Sequence, residues 1–139
     1  MTIWILDTDH VSLFQTGHPL VTQRVQSIDP NALAVTIITV EEQMYERLNR
    51  IRRAKSTDDL KLGYFNLNRT LEYFQTISVI DFDNAAVDYY QEIISQKLRV
   101  GTQDLKIAAI TLSRQGILVT RNARDFSKVS GLQIEDWSI

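Results

Sequence analysis

Short apolar runs alternate along the chain with longer segments in which apolar residues recur at helical spacing. Residues 3–6, 33–38, 77–80 and 117–119 are rich in Ile, Leu and Val, as expected for strands that are buried on both faces of a parallel sheet. A fifth short strand is predicted at residues 132–134. The pattern therefore predicts an α/β fold, with a central parallel sheet of four to five strands between helices.

Two consecutive helices are predicted between the second and third strands, which indicates a helical hairpin inserted into the βα alternation. The second of them has one narrow apolar stripe, formed by Leu60, Tyr64, Leu67, Leu71 and Phe74. We expect this stripe to pack within the same chain, although a second copy could also cover it. Further on, Gly101 is expected to end the helix that carries residues 86–98, as its C′ residue.

Composition limits the kinds of site the chain can build. With 139 residues, 44% of them apolar, we expect one domain, residues 1–139. The chain has no Cys and two His, which excludes disulfides and thiolate zinc sites and leaves oxygen ligands for any metal. No apolar stretch is long enough to span a membrane and no leader is evident, so we expect a cytoplasmic protein.

Carboxylates follow several of the predicted strands or begin the next helix. They are Asp7, Glu42 and Asp104, with either Asn122 or Asp125 at a fourth position. Because the carboxyl ends of parallel strands meet at one edge of the sheet, these side chains should lie close together. Crowded carboxylates repel each other unless a cation lies between them. Mg²⁺, or Mn²⁺ in its place, suits such ligands, and the number of ions stays open.

Several acids near these strand ends also have a purely structural interpretation. Asp7 or Asp9 can cap the following helix, and we favour capping for Asp9, with a supporting contact to the metal ligands as the alternative. Glu41 and Glu42 would suit the first turn of a helix, with Glu41 facing solvent. A basic run at residues 47–55 is either a solvated helix face or a surface that holds phosphates beside the crevice.

Five motifs together resemble those of the PIN-domain ribonucleases, and specifically the VapC toxins of bacterial toxin–antitoxin pairs. The motifs are Leu-Asp-Thr-Asp at 6–9, Ile-Thr-Val-Glu-Glu at 38–42, Gly-Thr-Gln-Asp at 101–104 leading into Ile-Ala-Ala at 107–109, Val-Thr-Arg-Asn-Ala-Arg-Asp-Phe at 119–126, and the closing segment 129–137. Their order and spacing extend over the full chain.

The resemblance implies a three-layer α/β/α fold and a magnesium-dependent endoribonuclease. It implies Asp7, Glu42 and Asp104 as the active-site acids, with Asp7 and Asp104 as metal ligands and Asn122 or Asp125 at the fourth position. It also implies a VapB-like antitoxin partner, a homodimer and an RNA substrate. Such a substrate would be a transfer RNA, for example the anticodon stem-loop of initiator tRNA, or a ribosomal RNA.

Two other functions stay open on the sequence alone. The stretch Asp7-Thr8-Asp9 is also similar to the first motif of haloacid dehalogenase-type phosphatases, in which the first Asp is a nucleophile. That family needs a downstream Lys and paired acids at a later strand end, whereas Asp104 is single and opens a helix. The other possibility is a non-catalytic domain that binds RNA or protein, but a binder of polyanions gains nothing from clustered acids.

Overall fold

The computed structural model describes residues 1–139 and contains five strands and seven α-helices. The strands are β1 (Trp4–Leu6), β2 (Leu33–Thr36), β3 (Ser78–Ile80), β4 (Ile117–Val119) and β5 (Gln133–Glu135). The helices are α1 (Thr8–Gln15), α2 (Pro19–Ser27), α3 (Ile37–Arg52), α4 (Thr57–Gln75), α5 (Asn84–Ser95), α6 (Thr102–Ser113) and α7 (Ala123–Phe126). None of these helices is both long enough and apolar enough to cross a membrane.

All five strands form one parallel sheet in the order β3-β2-β1-β4-β5. The predicted parallel sheet is confirmed. The chain first builds the sheet outward from β1 through β2 to β3, and then returns to add β4 on the other side of β1. The carboxyl ends of β1 and β4 therefore meet at the point where the strand order reverses, which is where open α/β sheets bind ligands.

Helices cover both faces of the sheet, which gives three layers. On one face Ile5, Ala34 and Leu118 pack against apolar residues of α5, α6 and α7. On the other face Leu6, Val35 and Val119 pack against α1, α2, the end of α4 and the C-terminal segment. Successive strand residues alternate between the two cores, because side chains of a strand point to opposite faces.

The second strand is shorter than the apolar run that predicted it. It ends at Thr36, whose hydroxyl accepts a hydrogen bond from the backbone N–H of Thr39 and so caps α3. Ile37 and Ile38 thus belong to the helix, although Ile38 is buried in the core as a strand residue would be. Glu41 and Glu42 consequently lie in the second turn of α3, and their expected place in the first turn is wrong.

The predicted helical hairpin is present, formed by α3 and α4, but its apolar stripe is not buried as expected. Leu60, Tyr64 and Leu71 are exposed. The face of α4 that packs inward instead carries Gly63 and Thr70. Gly63 allows close contact with Ile51 of α3. The apolar pattern missed this face because Gly63 and Thr70 are not apolar side chains.

Gly101 does not end a helix. Helix α5 ends at Ser95, and Lys97 adopts the left-handed conformation after it, with φ of 54°. Gly101 has φ of −60° and begins α6 as its N-cap residue. The expected C′ role is therefore wrong, because a non-glycine residue takes the left-handed position one turn earlier in the chain.

Candidate active site

Asp7 follows β1 directly and lies at the point where the strand order reverses. It is the N-cap residue of α1, and its Oδ1 accepts a hydrogen bond from the backbone N–H of Thr8 at 2.8 Å. Its Oδ2 accepts a hydrogen bond from the hydroxyl of Thr120, the residue after β4, at 2.7 Å. Asp7 is 6% exposed. Two adjacent parallel strands thus hold one nearly buried carboxylate in a fixed orientation.

Asp9 does not cap α1, contrary to expectation. It lies in the first turn, where its Oδ2 accepts a hydrogen bond from the backbone N–H of Arg121 at 3.0 Å. Its Oδ1 lies 2.8 Å from Nδ1 of the fully buried His10, and Nε2 of that ring accepts a hydrogen bond from the backbone N–H of Trp137. Asp9 therefore joins α1 to the loop after β4 and, through His10, to the C-terminal segment.

Glu42 reaches the same edge of the sheet from α3. Its Oε1 accepts a hydrogen bond from the hydroxyl of Thr8 at 2.7 Å, and that hydroxyl lies 2.9 Å from the hydroxyl of Thr39. The neighbouring Glu41 is exposed, as expected, and accepts a hydrogen bond from Gln103 at the rim of the small pocket that Glu42 also borders. Adjacent helix residues diverge by about 100°, so only one of the two glutamates can face the site.

Asp104 lies in the first turn of α6, and Asn122 precedes α7. The side-chain amide of Asn122 contacts both Oδ2 of Asp104, at 3.4 Å, and Oδ2 of Asp125, at 3.2 Å. Asn122 is the N-cap residue of α7, but its side chain makes no capping hydrogen bond. The structure therefore places both candidates for the fourth position beside Asp104, with Asn122 between the two carboxylates.

These acids affect one another electrostatically. Burial, followed by repulsion from Asp9, raises the pKa of Asp7 to about 7, and Asp104 adds a smaller repulsion. Burial, followed by repulsion from Glu42 and Asp125, raises the pKa of Asp104. By contrast, the hydrogen bond from Asn122 lowers the pKa of Asp125. All five candidate residues thus lie in one region, and a cation there would relieve the repulsion among the carboxylates.

The donor atoms suit a hard divalent cation. The side chains around Asp7 and Asp104 offer carboxylate and hydroxyl oxygens, and the chain has no Cys. No three acidic or imidazole side chains converge closely enough to hold an ion by themselves. Mg²⁺ is compatible with this arrangement, because it commonly uses one or two carboxylates and completes its shell with waters and substrate phosphates.

The sequence did not single out two residues that shape the site. Thr8 connects α1 to Glu42 of α3, and its position between two acids in the first motif was the only available signal. His10 connects Asp9 to Trp137. Glu42 and Trp137 lie far along the chain from Thr8 and His10, so the sequence pattern does not indicate that they meet.

Known proteins with similar sequences and folds were found. Over 142 aligned residues the chain is 27% identical to the tRNA(fMet)-specific endonuclease VapC of Shigella flexneri, covering 99% of this chain and 100% of that protein. The resemblance to the VapC ribonucleases is confirmed. A scan against models of protein families gives no match.

Two solved VapC-containing complexes have the same fold. VapBC-1 from nontypeable Haemophilus influenzae matches with a TM-score of 0.79 and 22% identity, covering 99% of this chain and 100% of that one. DNA-bound VapBC from Salmonella typhimurium matches with a TM-score of 0.78 and 24% identity, covering 99% of each chain. The α/β fold with its single five-stranded sheet is thus that of the VapC structures.

Proposed function

We propose that the chain is a metal-dependent endoribonuclease that hydrolyses phosphodiester bonds of RNA, and that it is the toxin of a toxin–antitoxin pair. The observation that supports this most directly is the set of mutually repelling acids Asp7, Glu42 and Asp104 at the reversal of strand order. The similarity to a tRNA(fMet)-specific endonuclease along the whole chain also favours it. In this proposal residues 1–139 form one nuclease domain.

In this proposal Asp7 and Asp104 hold Mg²⁺ or Mn²⁺, and such an ion supplies a water of lowered pKa and neutralises charge at the phosphoryl group. Thr120 and the backbone N–H of Thr8 fix the orientation of the Asp7 carboxylate. Glu42 accepts from Thr8 through one oxygen, which leaves its other oxygen free to accept a hydrogen bond from an attacking water. Asn122 positions Asp104 and separates it from Asp125.

The proposed substrate is a transfer RNA, such as the anticodon stem-loop of initiator tRNA, because a relative of similar length carries that specificity in its name. Because such a substrate is cellular RNA, we place the activity in the cytoplasm. The proposed partner is a VapB-like antitoxin, since the similar solved structures are VapBC complexes. The exposed side chains Tyr45, Leu48 and Tyr64 on the α3–α4 hairpin offer apolar area for that partner or for a second copy in a homodimer.

Replacing Asp7 with Asn should abolish cleavage of transfer RNA in Mg²⁺, because the amide cannot supply the negative charge that holds the ion. Asp88→Asn is the matched control, since Asp88 is exposed on α5, away from the site. Cleavage would be followed on a denaturing gel, with and without chelator, and folding by circular dichroism. Undiminished cleavage by Asp7→Asn would contradict the assignment, and hydrolysis of an aryl phosphate without cleavage of RNA would favour the phosphatase alternative.

A further inference from the structure

A large cleft lies between α1, α3 and α4, beside the acidic site. It encloses about 750 Å³. Glu46, one helical turn after Glu42 on α3, borders both this cleft and a smaller pocket that contains Thr8 and Glu42. The cleft therefore begins next to the candidate active site and continues along α3 toward the end of that helix.

Four arginines line this cleft, and we call it the arginine cleft. They are Arg47, Arg50, Arg53 and Arg69. Glu46 is the only acidic residue among the lining residues, and it lies 3.5 Å from Arg47. Even with Arg50 paired to Asp59 at 2.9 Å, the cleft keeps a positive excess. An acidic site and a basic cleft thus lie side by side, although the net charge of the whole chain is only −2.

The arginine side chains are oriented by neighbouring groups. Nε of Arg47 donates to the hydroxyl of Thr70 at 2.9 Å, and Thr70, which is 3% exposed, donates in turn to the carbonyl of Asn66. Nε of Arg53 donates to the carbonyl of Asn49 at 3.4 Å. In both arginines the Nε group is used for anchoring, and terminal N–H groups stay available. Such pre-oriented guanidinium groups match the geometry of phosphate oxygens.

The cleft also offers an aromatic surface. Phe65 is 56% exposed, and the guanidinium of Arg69 lies 5.7 Å from the centre of its ring. Exposed aromatic rings and arginine planes are the surfaces on which unpaired bases stack. Beneath the cleft, Gln15 and Gln43 exchange two side-chain hydrogen bonds of 3.0 Å, which fixes α1 against α3. Helices α3 and α4, which carry the arginines and Phe65, are joined by the hydrogen bond between Arg47 and Thr70.

We propose that the arginine cleft binds the sugar–phosphate backbone of the RNA strand next to the scissile phosphate, with one base stacked on Phe65. This inference rests on the proposed nuclease function. From Glu42 to Arg53 the axis of α3 extends about 16 Å, which is room for a few nucleotides beyond the cleaved bond. Glu46 borders both pockets, so a strand that leaves the acids passes this carboxylate before it reaches the arginines.

The test compares arginines inside and outside the arginine cleft. Arg50→Gln and Arg69→Gln, singly and together, are combined with Asp104→Asn so that bound RNA stays intact. Arg52→Gln is the matched control, since Arg52 lies on the same helix but does not line the cleft. Binding of a short single-stranded RNA is measured by fluorescence anisotropy at several salt concentrations. We expect each cleft variant to reduce the slope of log K against log salt by about 0.7, and Arg52→Gln to leave it unchanged.

Measuring RNA cleavage by variants that carry the same arginine substitutions, without Asp104→Asn, separates binding from chemistry. We expect KM for a transfer RNA to rise while kcat stays within about two-fold, because the cleft acts on binding that is uniform through the reaction. Equal salt slopes for cleft and control variants would overturn the proposal. So would normal RNA binding combined with loss of binding to an acidic antitoxin segment. If the cleft variants bound RNA weakly but the chain with its native active site cut no RNA, the result would support the cleft and contradict the nuclease function.

Discussion

Asp7 is a carboxyl group that the fold makes difficult to ionise. Its pKa is about 7 in the folded protein, against an ordinary value of 3.8. Between these pH values the folded protein binds the proton more tightly than the unfolded chain. The free energy of unfolding of the metal-free protein should therefore fall as pH rises from about 4 to about 7, by at most about 1.4 kcal/mol per pH unit from this group. Urea unfolding in the presence of a chelator would measure it.

Comparing the pH dependence of the unfolding free energy in wild type and in Asp7→Asn isolates the contribution of Asp7. Asp104 shifts in the same direction, so the wild-type protein alone would report both groups. Asp7→Asn should have a shallower pH dependence than wild type across this range, whereas Asp88→Asn should keep the wild-type dependence. Mg²⁺ should restore stability at pH 7 in wild type, because an ion that binds only the folded state stabilises it. Identical pH profiles for wild type and Asp7→Asn would contradict the origin assigned to the shift.

Some residues of the site can be predicted from the sequence and others cannot. Asp7 and Asp104 are predictable because one follows a strand and the other begins a helix, and parallel topology brings those places together. Glu42 is predicted on the same ground, although the structure places it in the second turn of α3. The outward orientation of Glu41 followed from helix geometry. Asp9 was misjudged, because its partner is the backbone of Arg121, more than a hundred residues away. Arg69 belongs to the arginine cleft because α4 folds back on α3; the hairpin was predicted, but not which residues of its two helices would meet.

The contact between α3 and α4 depends on the missing side chain of Gly63. A Cβ at this position would lie 2.9 Å from Cγ1 of Ile51. Gly63→Ala should therefore lower the free energy of unfolding by about 1–3 kcal/mol through overpacking. In an open helix position the same change would instead raise it by up to about 1 kcal/mol. Chemical denaturation of the purified variant would give the value.

An Ile51→Ala background provides the control for Gly63→Ala, because it removes the atom that the new Cβ would meet. In that background Gly63→Ala should be neutral or stabilising, so the two substitutions should couple in a double-mutant cycle. Purely additive effects would show that the contact with Ile51 does not cause the loss of stability in Gly63→Ala.

Strands and helices were predicted well where a single local signal dominates. Apolar runs rich in β-branched residues predict the strands, and all five are present. Predicted element boundaries were wrong where two sequence signals compete. At Thr36 the apolar run continues, but a hydroxyl cap begins a helix. The predicted burial of the apolar stripe of α4 was wrong for another reason, because the spacing of apolar residues identifies a helix face but not the surface that covers it.

The site is assembled from the whole length of the chain. Residues after β1, within α3, at the start of α6 and after β4 all contribute to it. The closing segment contributes indirectly, because the backbone N–H of Trp137 binds His10, which in turn contacts Asp9. Disturbing the C-terminal segment should therefore affect the acidic site although no residue of that segment lies in it.

Trp137 allows this dependence to be tested. Its side chain is 5% exposed and packs in the core beside β1 and β4, with the guanidinium of Arg24 5.3 Å from the ring centre. Trp137→Ala should lower the free energy of unfolding by about 3–5 kcal/mol, because it opens a cavity in that core. Ile139→Ala is the control, since Ile139 is 92% exposed and its replacement should change stability by less than about 0.5 kcal/mol.

Thermal unfolding followed by circular dichroism would rank Trp137→Ala and Ile139→Ala, and a Mg²⁺ titration of each would report on the acids. We expect Trp137→Phe, which keeps an aromatic ring in the core, to lie between wild type and Trp137→Ala. If Trp137→Ala unfolded at the wild-type temperature, the C-terminal segment would contribute nothing to the core. If it were destabilised but bound Mg²⁺ as wild type does while folded, the contact through His10 would be structural only, and the loop after β4 would suffice to hold Asp9 through Thr120 and Arg121.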